Sequence, residues 1–217
     1  MTKDFFSSNK HKIVAEKIKN FLNDQKDLLS ERTANSPRAV GDAIQDLLGD
    51  NFHKFIAENG KNFNSSFARR AMADLAFEDN AGNYCVIDVK THRLDAKFNM
   101  PNLISVERLS RFYEDDKNYF TLLMISYDVL GNDLVVKDVY FNPIENLNWK
   151  CLTIGALGWG QIQIANSNFI SIDEKMTRKS WMLELCDTML EFYPREVLKI
   201  DKRIERFEKI KQFWLKK

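Results

Sequence analysis

Ala71-Met72-Ala73-Asp74-Leu75-Ala76-Phe77-Glu78, then Asp79-Asn80-Ala81-Gly82-Asn83, then Tyr84-Cys85-Val86-Ile87-Asp88-Val89-Lys90: two apolar runs are joined by five residues of turn chemistry. Asp, Asn and Gly supply the local hydrogen bonds and left-handed backbone that a chain reversal needs, so the stretch predicts a β-hairpin. With Ala81 at the centre of the turn, opposed residues have numbers that sum to 162. Leu75 then faces Ile87, Phe77 faces Cys85 and Ala73 faces Val89, which makes one wholly apolar face. On the other face Asp74 is expected opposite Asp88, with Lys90 on the same side. Directly opposed Cβ atoms stand roughly 4.5–5.5 Å apart, and two carboxylates that close repel unless a cation lies between them. A slip of one residue would reverse both faces, and the apolar match argues for this register. An exposed hairpin face with ordinary charges explains an Asp near a Lys. It explains less well why opposed acids interleave with Val86, Ile87 and Val89.

Outward from the hairpin, residues 10–30 read as a polar helix with apolar Ile13, Val14, Ile18, Phe21 and Leu22. Ser36-Pro37 reads as a helix start, with Ser36 as N-cap and Pro37 in the first turn. Val40, Ile44, Leu47, Leu48, Phe52 and Ile56 continue it at helical spacing. Asp42, Asp46 and Asp50 recur on its other face, where like charges four apart repel slightly. A solvated face and a functional acid are both open readings of them. A further helix is expected after Pro101, using Leu103, Val106, Leu109, Phe112 and Tyr113. Residues 119–128 and 133–141 flank Gly131-Asn132 as a second hairpin, and 151–154 and 161–166 are short strands. Residues 176–192 and 195–215 read as helices broken at Pro194. The order predicts an α/β (α+β) chain with a mixed central sheet flanked by helices. Residues 1–217 read as one domain: an N-terminal helical segment 1–35, a core 36–170 and a C-terminal helical segment 171–217.

A chain of 217 residues, 44% hydrophobic, buries a core without staples. Its 8 Gly and 4 Pro exclude collagen-like and Pro/Gly-rich disordered classes. Cys85, Cys151 and Cys186 form no CxxC pair, so neither a zinc ribbon nor a disulfide framework is supported, and each reads as a small buried hydrophobe. No apolar run reaches the ~18 residues of a membrane span, and the first residues lack a signal-peptide apolar region. The expectation is a reduced, cytoplasmic protein with no membrane partner. A net charge of +1, from 32 basic and 31 acidic residues, gives no general affinity for nucleic acid. Charge is nevertheless segregated: residues 192–217 hold nine Lys/Arg against four Asp/Glu.

Two carboxylates and an ammonium on one strand pair suit a hard cation. Magnesium typically takes one or two carboxylates, with water and substrate phosphate completing its shell. Such a centre polarises a phosphodiester and generates hydroxide near neutral pH. A nearby lysine neutralises charge growing on the phosphorus. A general-base role would need a strongly lowered lysine pKa, which two adjacent carboxylates oppose.

Asp74, followed fourteen positions later by Asp88-Val89-Lys90, resembles the motif of the PD-(D/E)xK nucleases. Ile87-Asp88-Val89-Lys90-Thr91-His92 resembles the version found in type II restriction endonucleases, particularly the blunt-cutting branch. Ala73 stands where that family often has proline. Arg38-Ala39-Val40-Gly41-Asp42, Phe98-Asn99-Met100-Pro101-Asn102-Leu103-Ile104-Ser105, Gly158-Trp159-Gly160-Gln161-Ile162-Gln163 and the basic helix after Phe192-Tyr193 also resemble segments of such enzymes. The resemblance spans residues 36–217. It implies that Asp74, Asp88 and Lys90 are catalytic and that Asp74 and Asp88 are metal ligands. A third acid would come from the preceding helix, Asp46 before Asp42. It further implies Mg2+ as cofactor with Mn2+ as substitute, and hydrolysis of double-stranded DNA at a short palindromic site. A homodimer and a cognate DNA methyltransferase in the host follow from the same resemblance. A repair or junction nuclease with this core, and a non-catalytic DNA-binding module, are the alternatives.

Gln161 and Gln163 share one face of a strand that follows Gly158-Trp159-Gly160. Glutamine bonds adenine N6 and N7 in the major groove, so Gln161, Gln163, Asn166 and Asn168, with Trp159, are the expected DNA-reading residues. A polar sheet edge beside a glycine loop is the competing reading. Arg69, Arg70, His92 and Arg93 flank the acids as candidate phosphate contacts, although exposed arginines are common. His11 and His53 have no partner by spacing. Val197, Ile200, Ile204, Phe207, Ile210 and Trp214 recur at 3–4 spacing, which suits pairing of subunits or, more commonly, packing within the chain.

Overall fold

Strands β2 (Leu75–Asp79) and β3 (Tyr84–Arg93) form the expected hairpin, with Leu75 opposite Ile87 and Phe77 opposite Cys85. The computed structural model describes residues 4–26, 28–65, 72–96 and 99–217. Arg69, Arg70 and Phe98 lie outside the described residues. Asp79 closes the turn: its Oδ1 accepts the N–H groups of Ala81 and Asn83, each at 2.9 Å. Gly82 takes a φ of 85°, which only glycine adopts without strain.

The ladder does not keep step below Leu75. The chain bends at Asp74, whose N–H donates to the Ile87 carbonyl at 2.9 Å, although Ile87 is already the partner of Leu75. The expected Ala73–Val89 pair is therefore not made. Ala73 packs with Ala76 and Val86 in the opposite layer, while Val89 stays with Leu75, Phe77, Cys85 and Ile87.

The hairpin sits inside a five-stranded sheet of order β1-β2-β3-β5-β6. Strand β5 (Asn118–Leu130) runs parallel to β3, and β6 (Asp133–Pro143) returns antiparallel beside it, so the sheet is mixed. β1 (Gly60–Asn64), which the sequence pattern does not anticipate, lies on the free edge of β2. Its residues Gly-Lys-Asn-Phe-Asn carry no alternation; edge pairing alone makes it a strand.

Helices cover one face of this sheet. α1 (Lys10–Asn23) is shorter than the expected 10–30, and a single turn, α2 (Glu31–Ala34), follows it. α3 (Pro37–Ile56) starts as expected, with the Ser36 hydroxyl accepting from Ala39 N–H. Of the predicted stripes of α1 and α3, Val14, Ile18, Leu22, Val40, Ile44, Leu48 and Phe52 are buried against Phe77, Ile87 and Ile125, whereas Ile13 is exposed. Among helical glycines Gly41 has a clear purpose: a Cβ there would stand 2.8 Å from Thr91 Oγ1, so glycine lets α3 press against β3.

The other face carries a second, three-stranded sheet, ordered β4-β8-β7: β4 (Asn102–Ser105), β7 (Leu152–Gly155) and β8 (Gln161–Ile164). The helix expected directly after Pro101 starts only at Val106, as α4 (Val106–Phe112) capped by Ser105. Asn102–Ser105 pairs with β8 instead, burying Leu103 and Ile104. With both faces covered, β3 is buried from Cys85 to Val89, the position in which strands read as continuous apolar runs.

α5 (Arg178–Leu215) is one 38-residue helix, and the expected break at Pro194 is absent. Proline removes one N–H and crowds one carbonyl. Here that turn is exposed, so water can satisfy the released carbonyl. Trp181, Leu185 and Met189 anchor the first half, and beyond Tyr193 the helix is largely exposed. Cys85 and Cys151 are buried as expected, whereas Cys186 lies exposed on α5. Among the described residues, no helix is long and apolar enough to cross a membrane.

Candidate functional site

Alternation along β3 sends Asp88 and Lys90 to one side. Their side chains are 10% and 27% exposed, and Lys90 Nζ donates to Asp88 Oδ1 at 2.7 Å. Asp88 Oδ2 is buried without a hydrogen-bond partner. Burial pushes the Asp88 carboxyl up to about 7 despite the opposing pull of Lys90, and the nearby charge of Asp74 pushes the same way.

The bend at Asp74 turns its carboxylate back over β3. Asp74 Oδ2 accepts Val89 N–H at 2.7 Å and Gln45 Nε2–H at 3.4 Å. Gln45 Nε2 also reaches the Val89 carbonyl at 3.3 Å. The contribution of α3 to the site is therefore an amide. Asp46, the expected third ligand, and Asp42 are exposed. Helix rotation decides this: the close approach at Gly41 aims the next turn, and with it Gln45, at β3. Among the described residues no three His, Cys, Asp or Glu side chains form a group that could hold a metal ion.

Asp74 and Asp88 form one wall of a cavity of about 490 Å³ with Met72 and Ala73. The opposite wall is Leu103, Ile104, Ser105, Glu107 and Arg108 from β4 and α4, with Leu157, Gly158, Trp159 and Gln161 from the loop into β8. Glu107 is an acid of this cavity that the sequence reading missed. It occupies the first turn of α4 and pairs with Arg111 at 2.8 Å. Only knowing that the helix starts at Val106 could have pointed to it. Lys90 lies beside the cavity, in a crevice with Asn99, Pro101 and Met124, and reaches the cavity through Asp88.

Trp159 is 57% exposed at the rim, and its carbonyl accepts the Tyr193 hydroxyl at 2.7 Å. Gly160 has a φ of 117°, and a Cβ there would meet Ile154 and Met189 at 3.0 and 3.1 Å, so this loop closes tightly on the body. Gln161 and Gln163 do share a face, alternating with buried Ile162 and Ile164. Their settings differ. Gln161 lines the cavity, whereas Gln163 Nε2 donates to Asn102 Oδ1 at 2.6 Å and its amide lies over Gly155, bracing the small sheet.

The remaining candidates are not at the cavity. Asn166 Oδ1 accepts Asn168 N–H, and the Asn168 side chain bonds His92 Nε2 at 2.8 Å. Arg93 is engaged by the Ala34 carbonyl at 2.8 Å and by Asp95 at 2.7 Å, which ties α2 to the end of β3. Asp74, Asp88, Trp159 and Gln161 are thus brought together, with Lys90 bonded to Asp88. Asp46, Gln163, Asn166 and Arg93 stand apart, and His92 shares the side crevice with Lys90.

No family model and no curated protein matches the chain. Among solved structures it is similar to the NlaIV restriction endonuclease, with a TM-score of 0.44 and 16% identity over 76% of this chain and 74% of that one.

Proposed function

We propose that the chain is a magnesium-dependent endonuclease of the type II restriction class. It would hydrolyse phosphodiesters of double-stranded DNA at a short palindromic site as a homodimer, alongside a cognate methyltransferase in its host. One observation carries the reading: a buried Asp88 carboxylate oxygen without a partner, in the wall of a cavity that Asp74 shares. A buried charged oxygen is costly unless something pairs with it. Asp74 leaves Oδ1 for a ligand, since its bonds to Val89 and Gln45 both fall on Oδ2. Two carboxylates suit Mg2+, with Mn2+ as substitute, because water and phosphate supply the rest of the shell. The bound ion would polarise the scissile phosphate and acidify water.

The chain's own groups do the remainder. Lys90 favours the ionised form of Asp88 against the burial that raises its pKa, and carries positive charge to the side of the reacting phosphate. Gln45 holds Asp74 in one orientation through its two contacts. Trp159 and Gln161 meet the duplex at the rim. A resemblance in sequence to the blunt-cutting branch sets the expected product ends.

Digestion of a mapped plasmid tests the proposal. Magnesium should give discrete bands with flush ends, and chelator should give none. Lys90→Ala should lower the single-turnover rate by several orders of magnitude, because fixed charge at the transition state contributes a few kcal/mol, while specific binding is retained. A smear, or preference for branched or mismatched duplex, favours a repair nuclease. Duplex binding with no cleavage in magnesium or manganese leaves a binding module, and cleavage by Lys90→Ala at the wild-type rate removes this cavity as the active site.

A further inference from the structure

We propose that α5 joins two copies of this chain as a parallel, in-register coiled coil. Leu183, Leu190, Val197 and Ile204 stand seven residues apart, and Lys211 continues the series. Cys186, Tyr193, Ile200, Phe207 and Trp214 form a second series, three residues behind the first. Together they are the two inward positions of a heptad repeat, sustained from residue 183 to residue 214.

Apart from Tyr193, whose hydroxyl bonds the Trp159 carbonyl, the stripe is not engaged by the chain's own body. Its eight large apolar side chains are 41–72% exposed. In the same turns α5 anchors itself by other residues, Trp181, Leu185 and Met189, which are buried. An apolar face that follows a body would drift with the helix's 3.6-residue turn. A strict seven-residue period drifts about 20° per heptad on a straight helix, and stays on one seam only when two helices wind around each other.

The size of the seam matches the occupant. It extends about 48 Å at 1.5 Å per residue. Eight half-exposed side chains of this kind offer on the order of 800 Å² per copy, about what each partner buries in an interface of standard size. Charge permits a parallel second copy without favouring it. Arg203 and Glu208 flank the seam on opposite sides, five residues apart, the spacing that closes an ion pair between parallel chains. Ile210 and Leu215 repeat that spacing with an apolar pair. Glu196 and Asp201 would repel at the same spacing, but Glu196 is held by Lys199 of its own helix at 2.6 Å. Lys211 is the single charged seam position, a device that fixes register at some loss of stability. The other cations of this segment, Arg195, Lys199, Lys202, Arg206 and Lys209, lie off the seam, so a nucleic acid is not the occupant it fits.

The inference stands whether or not the chain is a nuclease, because its readout is mass. At micromolar concentration and without DNA, the full chain should sediment at twice 25.4 kDa. Ile204→Glu and Phe207→Glu should weaken pairing by roughly thirtyfold or more, the effect of losing a central contact. Leu198→Glu, at an equally exposed position off the seam, should leave the dimer intact. Near-UV circular dichroism confirms that each variant keeps its fold. In the parallel register Cys186 meets Cys186 of the second copy, so a short bis-maleimide should link the dimer covalently, and Cys186→Ser should not be linked. A monomeric wild type, or a seam variant that still pairs, overturns the proposal. So does pairing that appears only with duplex, and a dimer that resists the Cys186 linker overturns the parallel register.

Discussion

Replacing Asp88 by Asn should make the protein inactive and more stable at once. The carboxylate is 10% exposed, one oxygen has no partner, and the other is bonded only to Lys90. Its folded-state pKa is about 7 against an ordinary 3.8, so ionisation opposes folding increasingly as pH rises between those values. The full effect is present at about pH 8. Three pKa units at about 1.4 kcal/mol each set an upper bound of about 4 kcal/mol. Asparagine keeps the volume and removes the charge. It also leaves the Lys90 ammonium without its acceptor and one amide group unsatisfied, which takes back roughly 1–3 kcal/mol. The net expectation is about 2 kcal/mol of added stability, about 4–8 °C in melting temperature for a chain of this size. Thermal unfolding in chelator at about pH 8 measures it. Magnesium added to the same samples should raise the wild-type midpoint and leave the variant unmoved, since only a ligand that binds the folded state stabilises it. An Asp88→Asn variant that melts below wild type in chelator would show that the carboxylate supports the fold, and the site assignment would fail.

Four further outcomes are expected. Gln161→Ala should lose roughly 1–3 kcal/mol of discrimination at one base pair in competition binding, with its melting temperature unchanged. Gln163→Ala should do the reverse, losing about 1 kcal/mol of stability with its bond to Asn102 and no discrimination. Asp79→Ala should cost about 4 kcal/mol or more in urea denaturation, because its buried carboxylate accepts from Phe5, Ala81 and twice from Asn83 at 2.9–3.0 Å. His11 is buried, which lowers its pKa from 6.5, with Lys12 lowering it further. The unfolded chain then takes up its proton first, so the His11 contribution, opposite in sign to that of Asp88, should be level above about pH 6.5 and become destabilising as pH drops below it. The stability difference between His11→Gln and wild type should therefore change below about pH 6.5, and a difference independent of pH would place the proton uptake elsewhere.

How much of this was legible in the sequence depends on the range of the interactions involved. The hairpin register needed only a turn and a period of two, so Leu75 opposite Ile87 could be read directly. The bend at Asp74 could not, because it depends on which carbonyl the Asp74 N–H finds once the ladder ends. The cap at Ser36 and the stripes of α1 and α3 are local and were readable. Which flank of α3 meets β3 is not local: the gap between Gly41 and Thr91 sets it, and that is why the amide of Gln45 stands where Asp46 was expected. Gln161 and Gln163 are equivalent by alternation and become different only through Asn102 and Gly155, which belong to neighbouring strands. β1 has no pattern of its own. Pro194 was read as a break because proline ends buried helices, but this turn faces water.

The hydrogen bond from Tyr193 to the Trp159 carbonyl adds a polar tie where the Gly160 loop already packs on Met189 of α5. Tyr193 stands on the seam of α5, and Trp159 stands at the rim of the acidic cavity. If α5 pairs as proposed, a molecule that enters the cavity and displaces Trp159 would change that hydroxyl's grip, and with it the free energy with which two helices meet. Reciprocity would follow: whatever factor occupancy applies to helix association, association applies to occupancy. One phenol would then make the rim's affinity a function of how crowded the protein is with its own kind.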